Sequence, residues 1–254
     1  MNFVVIIPSR YESTRFSGKP LADICGKPMI QRVYEQAAKA IDDVWVATDD
    51  ERIVVAVKKF GGNVVMTSTE HRSGTDRCAE AVLKAAEITG KTYDVVINVQ
   101  GDEPFMQPDQ IELITDCFTD STDTEIATLI QPILKNEDIF RPDMVKVVLD
   151  NEMNAIYFSR SPIPHILKID ESKWLENYPF YGHVGLYAYR NDILQKLAKL
   201  KESRLEKVES LEQLRWLENG FRIKTNITDS DNFGIDTLED LELAIAGGIE
   251  KYKL

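Results

Sequence analysis

Apolar positions fall along the first half of this chain in two alternating rhythms. Phe3–Ile7 is an uninterrupted, β-branched-rich run closed by Pro8, the pattern of a strand buried on both faces of a parallel sheet. A polar loop from Pro8 to Pro20 follows, and helical periodicity begins after Pro28, with Met29, Ile30, Val33 and Ala37 on one face. Val44–Ala47 reads as a second strand ending in Thr48-Asp49-Asp50. A helix from Glu51 toward Phe60 is stopped by Gly61-Gly62, and Asn63–Met66 is a third strand. His71–Arg77 leads into an alanine-rich helix ending near Gly90, and Tyr93–Val99 is the next strand, closing in Gln100-Gly101-Asp102-Glu103-Pro104.

This spacing predicts an α/β fold with a mainly parallel, Rossmann-like open sheet and right-handed crossovers. Ligands of such sheets bind beyond the carboxyl ends of the strands. That edge gathers Pro8–Lys19, Thr48–Asp50 and Gln100–Glu103. After residue 125 the alternation breaks. Glu125–Gln131, Val145–Asp150, Ala155–Ser159 and Gly182–Tyr189 read as strands with little helix between them, predicting antiparallel additions that form a lid or dimerisation lobe. Helices return over Asn191–Lys201 and Ser210–Asn219, then a strand over Arg222–Asn226 and a final helix after Gly234-Ile-Asp-Thr237. The expectation is one domain over 1–254: an α/β part over about 1–125, an antiparallel part over about 126–190, and C-terminal helices that return to the core.

Composition narrows the classes. The chain carries 30 basic and 42 acidic residues for a net charge of −12, which argues against duplex nucleic acid or an anionic membrane as partner. Hydrophobic residues at 43% are too many for a disordered chain. No apolar run approaches the roughly 18 residues of a membrane span, and without a signal-peptide pattern the expected compartment is the cytoplasm. Cys25, Cys78 and Cys117 are too scattered for a disulfide framework or a C-x-x-C metal site, so each is expected to be a reduced core residue. Residues 1–30 invert the overall charge, with Arg10, Arg15, Lys19 and Lys27 against Glu12 and Asp23. A positive opening on an acidic protein marks a local polyanion site.

The loop after the first strand is not a P-loop, because Pro20 follows Gly18-Lys19 and no glycine stands five residues before Gly18. The missing G-x-G-x-x-G disfavours a dinucleotide oxidoreductase. What remains is three cations suited to the dispersed charge of a triphosphate. Asp102, at a strand's C-terminal edge, suits a magnesium ligand or a simple polar turn. Thr237-x-x-Asp240 and Ser210-x-x-Gln213 both read as capping boxes, which would leave Asp236 as a pre-cap residue and put Glu212 and Gln213 in a first helical turn. His183, Gly185 and Tyr187 alternate on one strand face, so the glycine leaves room between two polar rings. No zinc or acyl-enzyme arrangement is evident.

Together these segments resemble the 3-deoxy-manno-octulosonate (Kdo) cytidylyltransferase family. The resemblance rests on Ile7-Pro-Ser-Arg-Tyr-Glu-Ser-Thr-Arg-Phe-Ser-Gly-Lys-Pro-Leu21, Gly26-Lys-Pro-Met-Ile30, Val46-Ala-Thr-Asp49, His71-Arg-Ser-Gly-Thr-Asp-Arg77 and Asn98-Val-Gln-Gly-Asp-Glu-Pro104. It continues in Tyr157-Phe-Ser-Arg-Ser-Pro-Ile-Pro164, His183-Val-Gly-Leu-Tyr-Ala-Tyr189, Glu209-Ser-Leu-Glu-Gln-Leu-Arg215 and Gly234-Ile-Asp-Thr237. These blocks occur in order over nearly the whole chain.

The resemblance implies a nucleotide-diphospho-sugar transferase fold, with residues 1–125 binding the nucleotide and 126–190 the sugar and the dimer partner. It implies the reaction CTP + Kdo → CMP-Kdo + pyrophosphate, serving lipopolysaccharide biosynthesis, with Mg2+ and a homodimer. Carried over by position, Arg10, Arg15 and Lys19 would hold the triphosphate, while Pro8 and the segment from Ser73 to Arg77 would line the nucleoside pocket. Asp102 and Asp236 would be the metal carboxylates. Gln100, Arg160, His183, Tyr187, Glu212 and Gln213 would surround Kdo, with Arg160 facing its carboxylate and Arg15 reaching both substrates. Arg10, Lys19, Asp102 and Asp236 would form the catalytic set. Two departures stand out: Ser17 replaces the family's usual proline, and His165–Tyr181 is longer than typical. Rival readings are a cytidylyltransferase for 8-amino-Kdo or another 2-keto acid sugar, and a non-catalytic nucleotide sensor.

Overall fold

Val4, Val5, Ile6 and Ile7 are completely shielded from solvent in β1 (Phe3–Ser9), which is why the run needs no polar alternation. Each such side chain contributes about 1.5–3 kcal/mol relative to exposure. The chain then forms a short hairpin, β2 (Asp23–Ile24) and β3 (Lys27–Pro28), followed by α1 (Met29–Ala37), β4 (Val44–Thr48), α2 (Glu51–Lys59), β5 (Asn63–Met66), α3 (Gly74–Thr89) and β6 (Val95–Asn98). A further helix, α4 (Pro108–Thr119), was not anticipated. It precedes β7 (Ile126–Pro132), β8 (Lys146–Leu149), β9 (Ala155–Ser159), α5 (Trp174–Asn177), β10 (Tyr181–Arg190), α6 (Asn191–Leu197), α7 (Arg204–Glu209), α8 (Gln213–Glu218), β11 (Ile223–Ile227) and α9 (Leu238–Ala246). This computed structural model describes residues 1–12, 16–230 and 234–246.

The chain divides into two compact units. The first comprises Met1–Glu112, Ala188–Ala198 and the described residues beyond Ser230. Its strands pair in parallel in the order β6-β1-β4-β5. The register sets Ser9 beside Thr48 and Ile6 beside Asn98, so the carboxyl ends of β1, β4 and β6 share one edge. The helices begin and end where the chain supplies caps. Asp50 accepts from the Arg52 amide at α2, Ser73 accepts from the Asp76 amide at α3, and Gly90 closes α3 with a φ of 69°.

The second unit comprises Leu113–Tyr187 and Lys199–Ser230. β11 pairs in parallel with β7, which neighbours β10, while β8 pairs antiparallel with both β10 and β9. The expected antiparallel additions therefore form. The unfamiliar segment 165–181 is anchored by Trp174, which is buried with Ile133, Ile139 and Phe180.

Two expectations are corrected. Ser210 does not open a capping box: it closes α7 with a φ of 53°, and the capping box lies upstream, between Ser203 and Glu206. Side-chain capping is absent at the start of α8. Cys25 is exposed rather than a core residue, because it takes a φ of 49° at the hairpin turn before Gly26; Cys78 and Cys117 are buried as expected.

Candidate active site

The shared edge of β1, β4 and β6 opens into a cleft of about 430 Å3 within the first unit. Pro8, Arg10, Lys19, Ser73, Arg77, Gln100 and Asp102, expected from the sequence, all line it. Arg15 lies outside the described residues.

Several local devices shape this cleft. Ser73 caps α3, whose 16-residue length brings a substantial positive pole to the cleft wall. Gly74 lets that helix start against Pro8, since a Cβ there would stand 3.3 Å from the proline Cγ. Gly101 is needed for a similar reason: its Cβ would fall 3.0 Å from the Pro8 carbonyl. Gly18, at a φ of 76°, donates its amide to the Tyr11 carbonyl at 2.9 Å and turns the chain into Lys19.

Lys19 is the electrostatic centre. Its Nζ lies 2.7 Å from Asp102 Oδ2, 3.0 Å from the Ile235 carbonyl and 3.4 Å from Asp236 Oδ1. The Ile235 amide donates to the Asp102 carbonyl at 2.9 Å, and buried Ile235 packs with Ile24, Met29, Phe105 and Ala244. That packing brings Asp236 beside a turn far from it in sequence. The capping box before α9 forms as expected between Thr237 and Asp240, while the Asp236 carboxylate meets Lys19.

The adjacent Glu103 carboxyl is pushed up to about 8 by burial and by the negative charges of Asp102 and Asp236. Two carboxylates thus share the single Lys19 ammonium with a third carboxyl group next in sequence, and the paired oxygens of Asp102 and Asp236 suit a divalent cation. Mg2+ is commonly held by one or two carboxylates, with substrate phosphates and water completing its shell. Among the described residues no group of three His, Cys, Asp or Glu side chains is arranged to hold a metal by itself. Asp102 and Asp236 could hold such an ion with substrate phosphate and water completing its shell.

Arg77 reaches the cleft wall almost completely buried, 1% exposed, with its guanidinium 2.7 Å from Asp49 and 2.5 Å from the Thr67 hydroxyl. It ties the first turn of α3 to the ends of β4 and β5, in addition to lining the pocket.

In the second unit, His183 and Tyr187 do share a face of β10, with ring centroids 5.2 Å apart, and Tyr187 meets the Trp216 ring edge-on at 5.0 Å. Burial depresses the His183 imidazole to about 3. Arg160 is held at the end of α7. Its Nε donates to the Glu209 carbonyl at 2.7 Å, and its terminal nitrogens donate to the carbonyls of Pro142 and Ser210. Glu212 and Gln213 follow directly on that turn. Gln213 is only 5% exposed, and its amide nitrogen has no hydrogen-bond partner among the described residues.

The cytidylyltransferase family model matches residues 4–225. The chain belongs to the cytidylyltransferase family. It is 56% identical to the 3-deoxy-manno-octulosonate cytidylyltransferase of Parabacteroides distasonis over 97% of this chain and 98% of that one. Against the enzyme of the same name from Bacteroides thetaiotaomicron the identity is 54%, over 96% and 97% of the two chains. A solved structure of CMP:2-keto-3-deoxy-manno-octonic acid synthetase complexed with CTP superposes with a TM-score of 0.89 at 42% identity, covering 99% of this chain and 100% of that one.

Some groups in this cytidylyltransferase escape sequence reasoning. Ser9 is 3% exposed at the cleft, and its hydroxyl has no hydrogen-bond partner among the described residues. Lys146 on β8 is 0% exposed, its ammonium donating to the carbonyls of Arg141, Met144 and Arg160 at 2.6–2.7 Å. A lone lysine at the start of an otherwise apolar strand gives no sign of burial. Only the coming together of three backbone oxygens reveals it.

Proposed function

We propose that this chain transfers CMP from CTP to the anomeric hydroxyl of Kdo, releasing pyrophosphate, as a step of lipopolysaccharide biosynthesis. The observation that carries the reading is the Lys19 ammonium joined to Asp102 and Asp236 at the edge of a strand-end cleft walled by the start of α3. The named relatives, at 54–56% identity over almost their full length, support the same substrates.

In this reading the C2 hydroxyl oxygen of Kdo attacks the α-phosphorus of CTP in line. A new phosphorus–oxygen bond forms, the bond to the bridging α–β oxygen breaks, and the hydroxyl proton passes to solvent. Arg10, Arg15 and Lys19 hold the triphosphate and the departing pyrophosphate, while the α3 N-terminus adds a fixed positive pole. Asp102 and Asp236 would hold Mg2+, which would neutralise phosphate charge and favour ionisation of the sugar hydroxyl. Pro8 and the Ser73–Arg77 segment hold the nucleoside. Gln100, Arg160, His183, Tyr187, Glu212 and Gln213 hold the sugar. Proximity and charge stabilisation carry the rate, with no covalent enzyme intermediate.

The protein acts in the cytoplasm as a homodimer. No helix among the described residues is long and apolar enough to cross a membrane. Leu134, Leu167 and Tyr178 expose apolar surface on the second unit, as a dimer contact would require.

Pyrophosphate release with CTP, Mg2+ and either Kdo or 8-amino-Kdo tests the reaction. Release with Kdo is expected. Release with the amino sugar alone would redraw the sugar pocket, and silence with both despite CTP binding would leave a nucleotide sensor.

Arg160→Ala is expected to raise the KM for Kdo on the order of tenfold while sparing that for CTP, through loss of a charge-assisted contact to the carboxylate. It also removes three donors from backbone carbonyls, so Arg160→Lys is the control that keeps the charge. An unchanged Kdo KM in Arg160→Ala would place the carboxylate site elsewhere.

A further inference from the structure

Thr128 stands on β7 beside β10, and its hydroxyl oxygen touches three polar atoms of that strand. It lies 2.8 Å from the Leu186 carbonyl, 3.1 Å from the Val184 carbonyl and 3.1 Å from His183 Nε2. A threonine hydroxyl has one proton, and carbonyl oxygens only accept. The Thr128 proton must therefore point at the carbonyls, Leu186 being the nearer. The lone pair left on Oγ1 can satisfy His183 only if Nε2 carries a hydrogen.

The opposite tautomer, with Nε2 bare, draws the threonine proton onto the ring. Two carbonyl oxygens would then face the hydroxyl oxygen at 2.8 and 3.1 Å with no hydrogen between them, a repulsive arrangement. Turning the ring over would set a carbon against Oγ1 and forfeit the bond. The ring is also confined on its other sides by Phe158, edge-on at 5.1 Å, and by Tyr187 at 5.2 Å. Thr128 is itself completely buried, so water cannot substitute for either partner.

We infer that Thr128 is a positioning residue that locks His183 as the neutral Nε2–H tautomer, so that its bare Nδ1 accepts a hydrogen bond from a hydroxyl of the acceptor sugar. Nδ1 makes no hydrogen bond to the described residues. His183 thereby reads a hydroxyl group and neither pairs with the sugar's carboxylate nor supplies a proton to the reaction. That division leaves the carboxylate to a permanent cation such as Arg160. The depressed basicity of the buried imidazole agrees, since the ring stays neutral at any working pH. The assignment to a sugar hydroxyl rests on the proposed Kdo reaction; the tautomer itself does not.

Nitrogen-15 correlation spectra of the histidine rings in the full chain test the tautomer directly. The chain has only three histidines, and His183→Asn identifies the signal by its loss. A pyridine-type Nδ1 and a pyrrole-type Nε2 are expected, unchanged on acidification through pH 6; the reverse pattern, or an imidazolium there at neutral pH, overturns the inference. Thr128→Val, which keeps the shape and removes the acceptor, should admit the Nδ1–H form and raise the Kdo KM about 5- to 10-fold, the scale of one hydrogen bond. CTP KM should hold, and Thr128→Ser should restore both spectrum and KM. An unaltered tautomer and Kdo KM in a folded Thr128→Val protein would remove the positioning role. Should that variant fail to fold, the wild-type spectrum together with Thr128→Ser decides. If Kdo is not the substrate, the wild-type enzyme gives no turnover with it while the tautomer spectrum stands, so the two failures are separable.

Discussion

Asp102→Asn should lower kcat by about two to three orders of magnitude with CTP, Kdo and Mg2+ all saturating, the scale of losing one preorganised charge at a transition state. The substitution keeps the shape and removes the charge from the carboxylate 2.7 Å from Lys19. Two consequences add together. The proposed metal site would lose one of its two carboxylates, and Lys19 would retain only Asp236 as a charged partner among its observed bonds. Because the Asp102 side chain is about a third exposed, folding should be little affected, and the denaturation midpoint is the control. Pyrophosphate release against Mg2+ concentration provides the readout, with the half-saturating Mg2+ concentration rising beside the fall in kcat. A kcat within tenfold of the parent, at an unchanged Mg2+ requirement, would remove Asp102 from the metal site. Glu103 would then be the carboxyl to examine.

Local rules made the ligand edge of this sheet legible, while Pro8, the Ser73–Arg77 segment and Gln100 were carried over from the family resemblance. A short, β-branched apolar run such as Phe3–Ile7, closed by Pro8, favours a buried strand, and a polar segment at its end faces the ligand edge of a parallel sheet. Asp102, in the polar segment after the Tyr93–Val99 run, falls under the second rule, whereas the Ser73 cap emerges only in the fold. Where a role depends on partners distant in sequence, local pattern is silent. Nothing near Arg77 announces Asp49 or Thr67, and nothing near Lys146 announces the Arg160 carbonyl. The Ser210 misreading has the same origin. Ser210-Leu-Glu-Gln213 satisfies a capping-box pattern, yet Ser203 and Glu206 form the real box and leave Ser210 to close the preceding helix in a left-handed conformation. The sequence spacing permits both, and the Arg215–Glu206 ion pair favours the upstream one by holding the carboxylate in place. His183 and Tyr187 of the second unit were placeable on a common strand face, but the contacts of Thr128 with His183 and two carbonyls of β10 join residues more than fifty positions apart and leave no local pattern.

Arg77→Met is the stability counterpart, with an expected cost of about 3–5 kcal/mol, since removing one member of a buried pair strands the other. The Arg77 side chain is 2% exposed and Asp49 15%, so solvent screens this pair far less than the exposed ion pairs elsewhere on the chain. Asp49 would remain at the end of β4 without its guanidinium, and the Thr67 hydroxyl would lose a donor as well. Arg77→Lys should recover only part of the loss, because an ammonium lacks the fork that reaches both partners. Denaturant midpoints measure this, and the double variant Arg77→Met/Asp49→Leu decides between mechanisms. If the cost arises from a stranded carboxylate, the double variant should be more stable than Arg77→Met alone, with a coupling on the order of 1–3 kcal/mol. If instead the cost is lost packing of the arginine stem, the two substitutions should simply add. A single-variant loss below about 1 kcal/mol would mean that Arg77 does not brace the start of α3. With the brace intact, Ser73, Gly74 and the helix pole stay fixed against Pro8. Arg77→Met should therefore also weaken CTP binding, even where the variant remains folded, by letting that first turn move.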